Sequence, residues 1–234
     1  MTETSSKPTV LHFPLEGICV ARRPPRHHPL ALDLMGLSDP DGRTSTAGRL
    51  RWLVGGVDTT RFHGWNRTIH GPARGEVVAV GDGIEDRART GALRTVAIWA
   101  YATFFFRPSM TDEGEPDIGP NVGNHIMVEL ETGNVAFYAH LRNGSSRVAV
   151  GDRVEAETVL GAVGNSGNTT APHLHVHVLD QMSDLLTAQL VPFVFSEYER
   201  WNGTAWETEV ETIPEPGQVV RPAQAADPRP RSSR

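Results

Sequence analysis

The segment Ala171-Pro-His-Leu-His-Val-His-Val-Leu-Asp180 places imidazole and aliphatic side chains at alternate positions. In an extended chain, residues two apart share a face, so His173, His175 and His177 point one way and Leu174, Val176 and Val178 the other. A helix would scatter both sets around its circumference. A strand resolves them into one core face and one polar face, and therefore needs a sheet around it. Two imidazoles roughly 6–7 Å apart along a strand can also converge on one small site, one as a metal ligand and the other as an acid or base. A plain solvated strand face is the competing reading of His-x-His alone.

The rest of the chain supplies that sheet. Gly75-Glu-Val-Val-Ala-Val-Gly-Asp-Gly83 is a β-branched run closed by a turn, and His125–Leu130 and Val135–Ala139 flank Glu131-Thr-Gly-Asn134 as a hairpin. Near the end, Tyr198–Trp201 and Thr204–Thr208 flank Asn202-Gly203, a second hairpin signal. With 23 Gly and 17 Pro among 234 residues, the composition suits a turn-rich β protein. Helix is sparse: Ser183–Leu190 could form a helical turn, and 84–121, with Trp99 and Phe104-Phe-Phe106, reads as an insertion between strands. The expected fold is mainly β, a single domain of antiparallel sheets with few short helices and an open substrate groove. Residues 1–26, ending in Arg22-Arg-Pro-Pro-Arg26, read as an extended leader because proline disfavours helix in its predecessor. The domain is expected over 27–211, and 212–234 reads as a disordered Pro/Arg/Ser-rich tail.

Composition removes several functions. A net charge of −6 and the lack of a dense Lys/Arg cluster argue against a nucleic-acid or anionic-membrane surface, since both need a concentrated positive field. One cysteine, Cys19, excludes an internal disulfide or a zinc site of paired cysteines. No run reaches the ~18 apolar residues of a membrane span. The N-terminus lacks the charged start and apolar core of a secretory signal, so the chain as written reads as cytoplasmic. Val148–Val154 followed by Leu160-Gly161 also has the strand-turn pattern of a biotin- or lipoyl-type carrier, but the only lysine is Lys7, in the leader, and no hairpin tip can carry the cofactor. A sugar-binding module would explain Trp52, Trp65, Trp99, Trp201 and Trp206 but not the ordered histidines. Those tryptophans read as packing residues.

Around the histidines, Asn124-His-Ile-Met-Val-Glu-Leu, Phe137-Tyr-Ala-His-Leu141, Val150-Gly-Asp-Arg-Val154, Leu160 to Thr169 and Pro172-His-Leu-His175 follow in order, preceded by His70 to Gly83. This series, over roughly residues 27–195, resembles the lysostaphin/LytM-type zinc metallopeptidases. The resemblance implies a peptide-hydrolysing enzyme acting on peptidoglycan stem or cross-bridge peptides, with Zn2+ as cofactor. Such a substrate lies in the cell envelope, against the cytoplasmic reading of the N-terminus. It further implies His175 as a zinc ligand, His173 and His140 as catalytic histidines, and an upstream histidine with Asp33 as the remaining ligands. The family usually spaces that histidine and aspartate four apart, whereas here His28 is five and His27 six residues from Asp33. Strand parity favours His27. A bulge at Pro29 would let His28 reach, and His28 is taken as the ligand because it needs the smaller insertion. His177 reads as a surface histidine of the same face, and a monomer is expected. The altered first motif keeps a non-catalytic regulatory or cell-wall-binding relative as the alternative.

A zinc site of this kind would need another group to accept a proton, because the chain has no His-Glu-x-x-His helix. An imidazole titrating near ~6.5 fits that task. The small residues of Gly161 to Gly167 would let a peptide backbone approach closely.

Overall fold

The computed structural model describes residues 7–24, 28–100, 109–110, 116–183 and 187–224. The strands in chain order are β1 (Thr9–Leu11), β2 (Cys19–Arg22), β3 (Leu32–Gly36), β4 (Val57–Asp58), β5 (Thr68–His70), β6 (Gly75–Gly81), β7 (Arg89–Thr90), β8 (Ser109–Met110), β9 (Pro116–Asp117), β10 (Asn124–Leu130), β11 (Val135–Leu141), β12 (Arg153–Val154), β13 (Val159–Ala162), β14 (Leu174–Leu179), β15 (Phe193–Trp201), β16 (Trp206–Thr212) and β17 (Val219–Arg221). Short helices α1 (Arg49–Val54), α2 (Ala92–Ala100) and α3 (Gly119–Val122) complete the described elements. The main sheet has 11 strands in the order β1-β15-β17-β2-β3-β14-β11-β10-β6-β12, with β16 paired to β15. Its pairings are antiparallel except β1 with β15, which run parallel. The expected mainly antiparallel β domain is the fold observed.

The histidine strand β14 lies between β3 and β11, pairing His175 with Asp33 on one side and with Ala139 on the other. Leu174, Val176 and Val178 are fully buried and pack with Leu32, Leu34, Ala136 and Tyr138 in the principal core. Burying each such aliphatic side chain is worth about 1.5–3 kcal/mol, which fixes the register and with it the face the histidines occupy. Phe137, Ala139 and Met127 form a second cluster on the histidine face, so β10 and β11 are covered on both sides.

The β10–β11 hairpin turns at 131–134, with Gly133 at φ 85° and Leu130 N donating to Asn134 O. The β15–β16 loop is longer than the two-residue turn Asn202-Gly203 suggests. Trp201 pairs with Trp206, and Asn202 Oδ1 accepts from the amides of Thr204 and Ala205 at 2.9 Å each, so the side chain closes a four-residue loop.

Two stretches read as lying outside the domain enter the sheet. Within 1–26, β1, β2 and the segment between them deliver Leu11, Phe13, Leu15, Cys19 and Ala21 to the core. Their aliphatic and aromatic surface outweighs the polar flanks. Within 212–234, β17 bridges β15 and β2 and buries Val220. The helical turn expected over Ser183–Leu190 falls partly outside the described residues, while 187–190 is non-helical and Leu190 bridges Leu179. Phe104–Phe106 lie outside the described residues, as do Arg26 and His27.

Candidate functional site

His140 stands at the end of β11 with φ +63°, one of three non-glycine residues at positive φ among those described. Such a conformation is costly for a side chain with a Cβ and persists only where surroundings enforce it. The enforcement is visible. Asn124 pairs with Leu141 and His125 with Ala139, so His140 is the extra residue of a bulge. Leu141 O accepts from Ser166 Oγ at 2.7 Å and from Asn124 Nδ2 at 3.2 Å, and Ser166 Oγ also receives Asn124 N at 3.0 Å. His140 O accepts from Gly164 N at 2.9 Å. The glycine-rich loop thus clamps the bulge from the far side. Its approach requires glycine at 167 and 123, each at positive φ, where an added Cβ would lie 2.2 and 2.5 Å from backbone atoms of the other segment.

The bulge turns the His140 ring inward, where it is buried. Its Nδ1 lies 3.0 Å from Ser166 O, and His173 Nδ1 lies 2.7 Å from Ala171 O. A carbonyl can only accept, so each Nδ1 carries a proton and each Nε2 is left facing the site. Thr169 Oγ1 donates to the same Ala171 carbonyl and lies 3.1 Å from His173 Nδ1, steadying that ring. The His140 and His173 ring centroids are 4.7 Å apart, and His140 to His175 is 6.1 Å.

Asp33 is the buried carboxylate facing this group. Its Oδ1 accepts from His175 Nδ1 at 2.9 Å, and its Oδ2 is 3.5 Å from His173 Nε2. His173 Nε2 and a carboxylate oxygen therefore face each other across a gap that suits a proton or a cation. His140 is held well below its ordinary pKa, first by burial and then by the neighbouring His173 and His175, with Asp33 opposing. It is neutral at physiological pH, the form that can take up a proton.

His177 belongs to the site. Its Nδ1 lies 2.9 Å from His175 Nε2, a hydrogen bond whose direction follows the tautomers. Its ring stacks on Phe137 at 4.5 Å, and Phe137 stacks in turn on His125 at 5.6 Å. A ring bonded at the second nitrogen of His175 orients the first. Asn124 and Ser166 carry no sequence signal for their clamping role, because the pairing spans 42 residues.

The zinc ligand set implied by the resemblance divides. Two ligands on a tetrahedral zinc with bonds of about 2.0–2.1 Å stand ~3.3 Å apart, close to the 2.9 Å between Asp33 Oδ1 and His175 Nδ1. His28 is exposed, and its Nδ1 accepts from Leu30 N at 3.2 Å. His27 lies outside the described residues. Among the described residues, no group of three or more His, Cys, Asp or Glu side chains is arranged to hold a metal ion. Asp33 and His175 fit as two donors, and the described chain supplies no third.

The beginning of the 84–121 insertion is tied to the same loop. Ile84 N donates to Asn124 Oδ1 and Ile84 O accepts from Asn124 Nδ2, both at 2.8 Å. Asp86 Oδ1 receives Asn165 N, and Asn165 Nδ2 donates to Arg87 O at 3.0 Å. Thr90 Oγ1 donates to Thr170 O.

Imidazoles gathered round a buried carboxylate on a β-sheet define a histidine–carboxylate centre. Residues 112–185, which contain His140, His173 and His175, match the model of peptidase family M23, and the resemblance to lysostaphin/LytM-type peptidases holds on that segment. Asp33 lies outside it. Among solved structures, the chain is similar to a protein described as the glycyl-glycine endopeptidase LytM of Ruminococcus gnavus, at 16% identity and a TM-score of 0.42 over 79% of this chain and 57% of that one. It is similar to a zinc-containing peptidase from Vibrio cholerae at 16% identity and a TM-score of 0.38, over 78% of this chain and 41% of that one. The catalytic domain of lysostaphin from Staphylococcus simulans matches at 17% identity and a TM-score of 0.34, over 74% of this chain and 86% of that domain. The chain thus spans 57% and 41% of the length of the first two.

Proposed function

We propose that the chain is a zinc-dependent endopeptidase that hydrolyses peptide bonds in peptidoglycan stem or cross-bridge peptides. The observation that carries this reading is the convergence of the His140 and His173 rings on Asp33 and His175, with both Nδ1 protons committed to backbone carbonyls. The match of residues 112–185 to a peptidase family supports it.

Asp33 and His175 would hold the metal, with an upstream histidine, His28 or His27, as third ligand. A bound zinc ion supplies Lewis acidity toward water and the peptide carbonyl. This chain's own residues do the rest. In its neutral form either His140 or His173 offers Nε2 to take the proton from attacking water, and the imidazolium so formed can donate to the leaving amine or to the oxyanion. The carbonyls of Ser166 and Ala171 keep the rings in that tautomer throughout. His177 orients His175.

Elemental analysis of the purified chain beside Asp33→Ala, His175→Ala, His27→Ala and His28→Ala tests the proposal. About one zinc per chain, lost with Asp33, His175 and one of the two adjacent histidines, is expected, together with digestion of purified peptidoglycan. Wild-type protein that takes up no zinc from excess metal refutes the metallopeptidase and leaves a non-catalytic wall-binding module.

A further inference from the structure

A cavity of about 330 Å³ lies between the insertion and the glycine-rich loop, lined in part by Arg87, Arg94, Ile98, Pro120, Asn121 and Asn168. Two guanidinium groups face it. Neither has a carboxylate within ion-pair distance among the described residues, although Asp86 adjoins Arg87 in sequence. That carboxylate is turned away, its oxygens taken by the amides of Asn143 and Asn165. Arg87 is half-buried and its pKa is pushed down to about 10, first by burial and then by the charge of Arg94. A guanidinium with a pKa there is still charged at neutral pH. The fold therefore holds two like charges together, one of them partly out of water, where an opposite charge would offset the cost.

The position of this charge matters because Arg87 Nη1 donates to Thr169 O at 3.2 Å, and Thr169 Oγ1 lies 3.1 Å from His173 Nδ1. Asn168 N, one residue earlier, donates to Asn121 O at 2.8 Å, closing the loop onto α3. Arg87 on the cavity wall and the His173 ring are thus linked through one loop residue, Thr169. The remaining lining is apolar at Ile98 and Pro120 and uncharged at Asn121 and Asn168, which suits a small anionic group carried on an organic chain rather than a polyanion.

We propose that this cavity binds a free carboxylate of the peptide substrate, held by Arg87 and Arg94, and so selects acid over amidated wall peptides. The planar fork of arginine matches a carboxylate in two parallel hydrogen bonds. The inference rests on the peptidase reading for its substrate, but the binding can be measured without turnover.

The test uses a short peptide with one free terminal carboxylate and the same peptide as its carboxamide. Each is titrated calorimetrically into the wild-type chain, Arg87→Gln and Arg94→Gln, and hydrolysis of peptidoglycan fragments with free and amidated carboxylates is followed in parallel. The wild type is expected to bind the acid about tenfold more tightly than the amide. Arg94→Gln should abolish most of that preference without lowering the thermal midpoint, since Arg94 is exposed, and should raise KM for the acid fragments. Arg87→Gln should do the same even if it also loosens the loop. Equal affinity of the wild type for acid and amide overturns the proposal, as does a preference that survives both substitutions. A preference lost in the variants with no hydrolysis by any form supports the cavity while sinking the peptidase reading. Hydrolysis with no preference does the reverse.

Discussion

The two long hairpins of the sheet are built to opposite specifications. In β10–β11 every residue of β11 is buried, and the irregular end of the pair carries His140 in a bulge clamped by Asn124, Ser166 and Gly164. In β15–β16 the pairing runs unbroken from Glu197 to Trp201, and β16 is mostly exposed. Its cross-strand contacts are ionic: Arg200 reaches Glu207 and Glu209 at 2.7 Å each, and Arg221 of β17 reaches Glu199 at 2.6 Å while lying over Trp206 at 4.2 Å. The difference teaches where a sheet can hold a strained residue. Each hairpin holds one non-glycine residue at positive φ: at His140 buried hydrogen bonds on both sides over-determine it, whereas Glu211 of β16, at φ 48°, is exposed and lies outside the unbroken register Glu197–Trp201.

Four measurements bear on that contrast. The largest effect is expected from His140→Ala, which should lower hydrolysis of peptidoglycan by about 10²- to 10⁴-fold with circular dichroism unchanged. Retained activity would mean that the bulge is architectural only. Next, Asn124→Ala removes the bonds to Leu141 O and to both backbone groups of Ile84 and should cost about 3 kcal/mol in denaturant unfolding, with a fall in activity from the freed bulge. A stability loss with unaltered turnover would separate the clamp from the chemistry.

The third tests the seam through which the outer hairpin joins the sheet, where Cys19 of β2 pairs with Val220 of β17. Burial raises the Cys19 thiol from 9.0 to about 11. The folded chain therefore keeps a proton that the unfolded chain releases above pH 9, so stability is intact below that value and declines as pH rises toward about 11, by at most ~2.7 kcal/mol. Cys19→Ala should flatten this slope in midpoints read from pH 8 to 11, and a slope unaffected by the substitution assigns it to other groups. The smallest effect is expected from Arg200→Gln: exposed pairs are screened, and the denaturant midpoint at high salt should be indistinguishable from wild type.

Period-2 patterning made the centre of this sheet legible. β14, β10 and β11 follow from alternation and turn residues, which are local signals, whereas Asp33 is singled out only through the resemblance to the lysostaphin/LytM-type peptidases, and its place beside His175 spans 142 residues. Leu11, Phe13 and Leu15 alternate too, but each is separated by a polar residue or proline and framed by a polar N-terminus, so β1 and β2 were hidden in an apparent leader. Val220 stands in a three-residue strand too short to register. The part His177 plays is hidden for another reason: a histidine on a polar face looks the same in sequence whether it meets solvent or, as here, Phe137 and His175. The loop clamp joins residues 17 to 42 apart, and Arg87 reaches Thr169 across 82, so no local pattern in the sequence announces either contact.

The paired bonds between Asn124 and Ile84 have a consequence for how this chain can diversify. They fasten the first residues of the insertion to the strand that opens the His140 hairpin, and Thr90 ties the same segment to Thr170 by a side-chain hydrogen bond. Beyond Thr90, α2 brings Arg94 and Ile98 to the cavity, and Ile118 packs against the cluster of Phe137 and Ala139. A graft of this segment that leaves His140 in place therefore begins after Thr90 and keeps Ile118, whereas a cut seven residues before Gly91 would release the bulge itself.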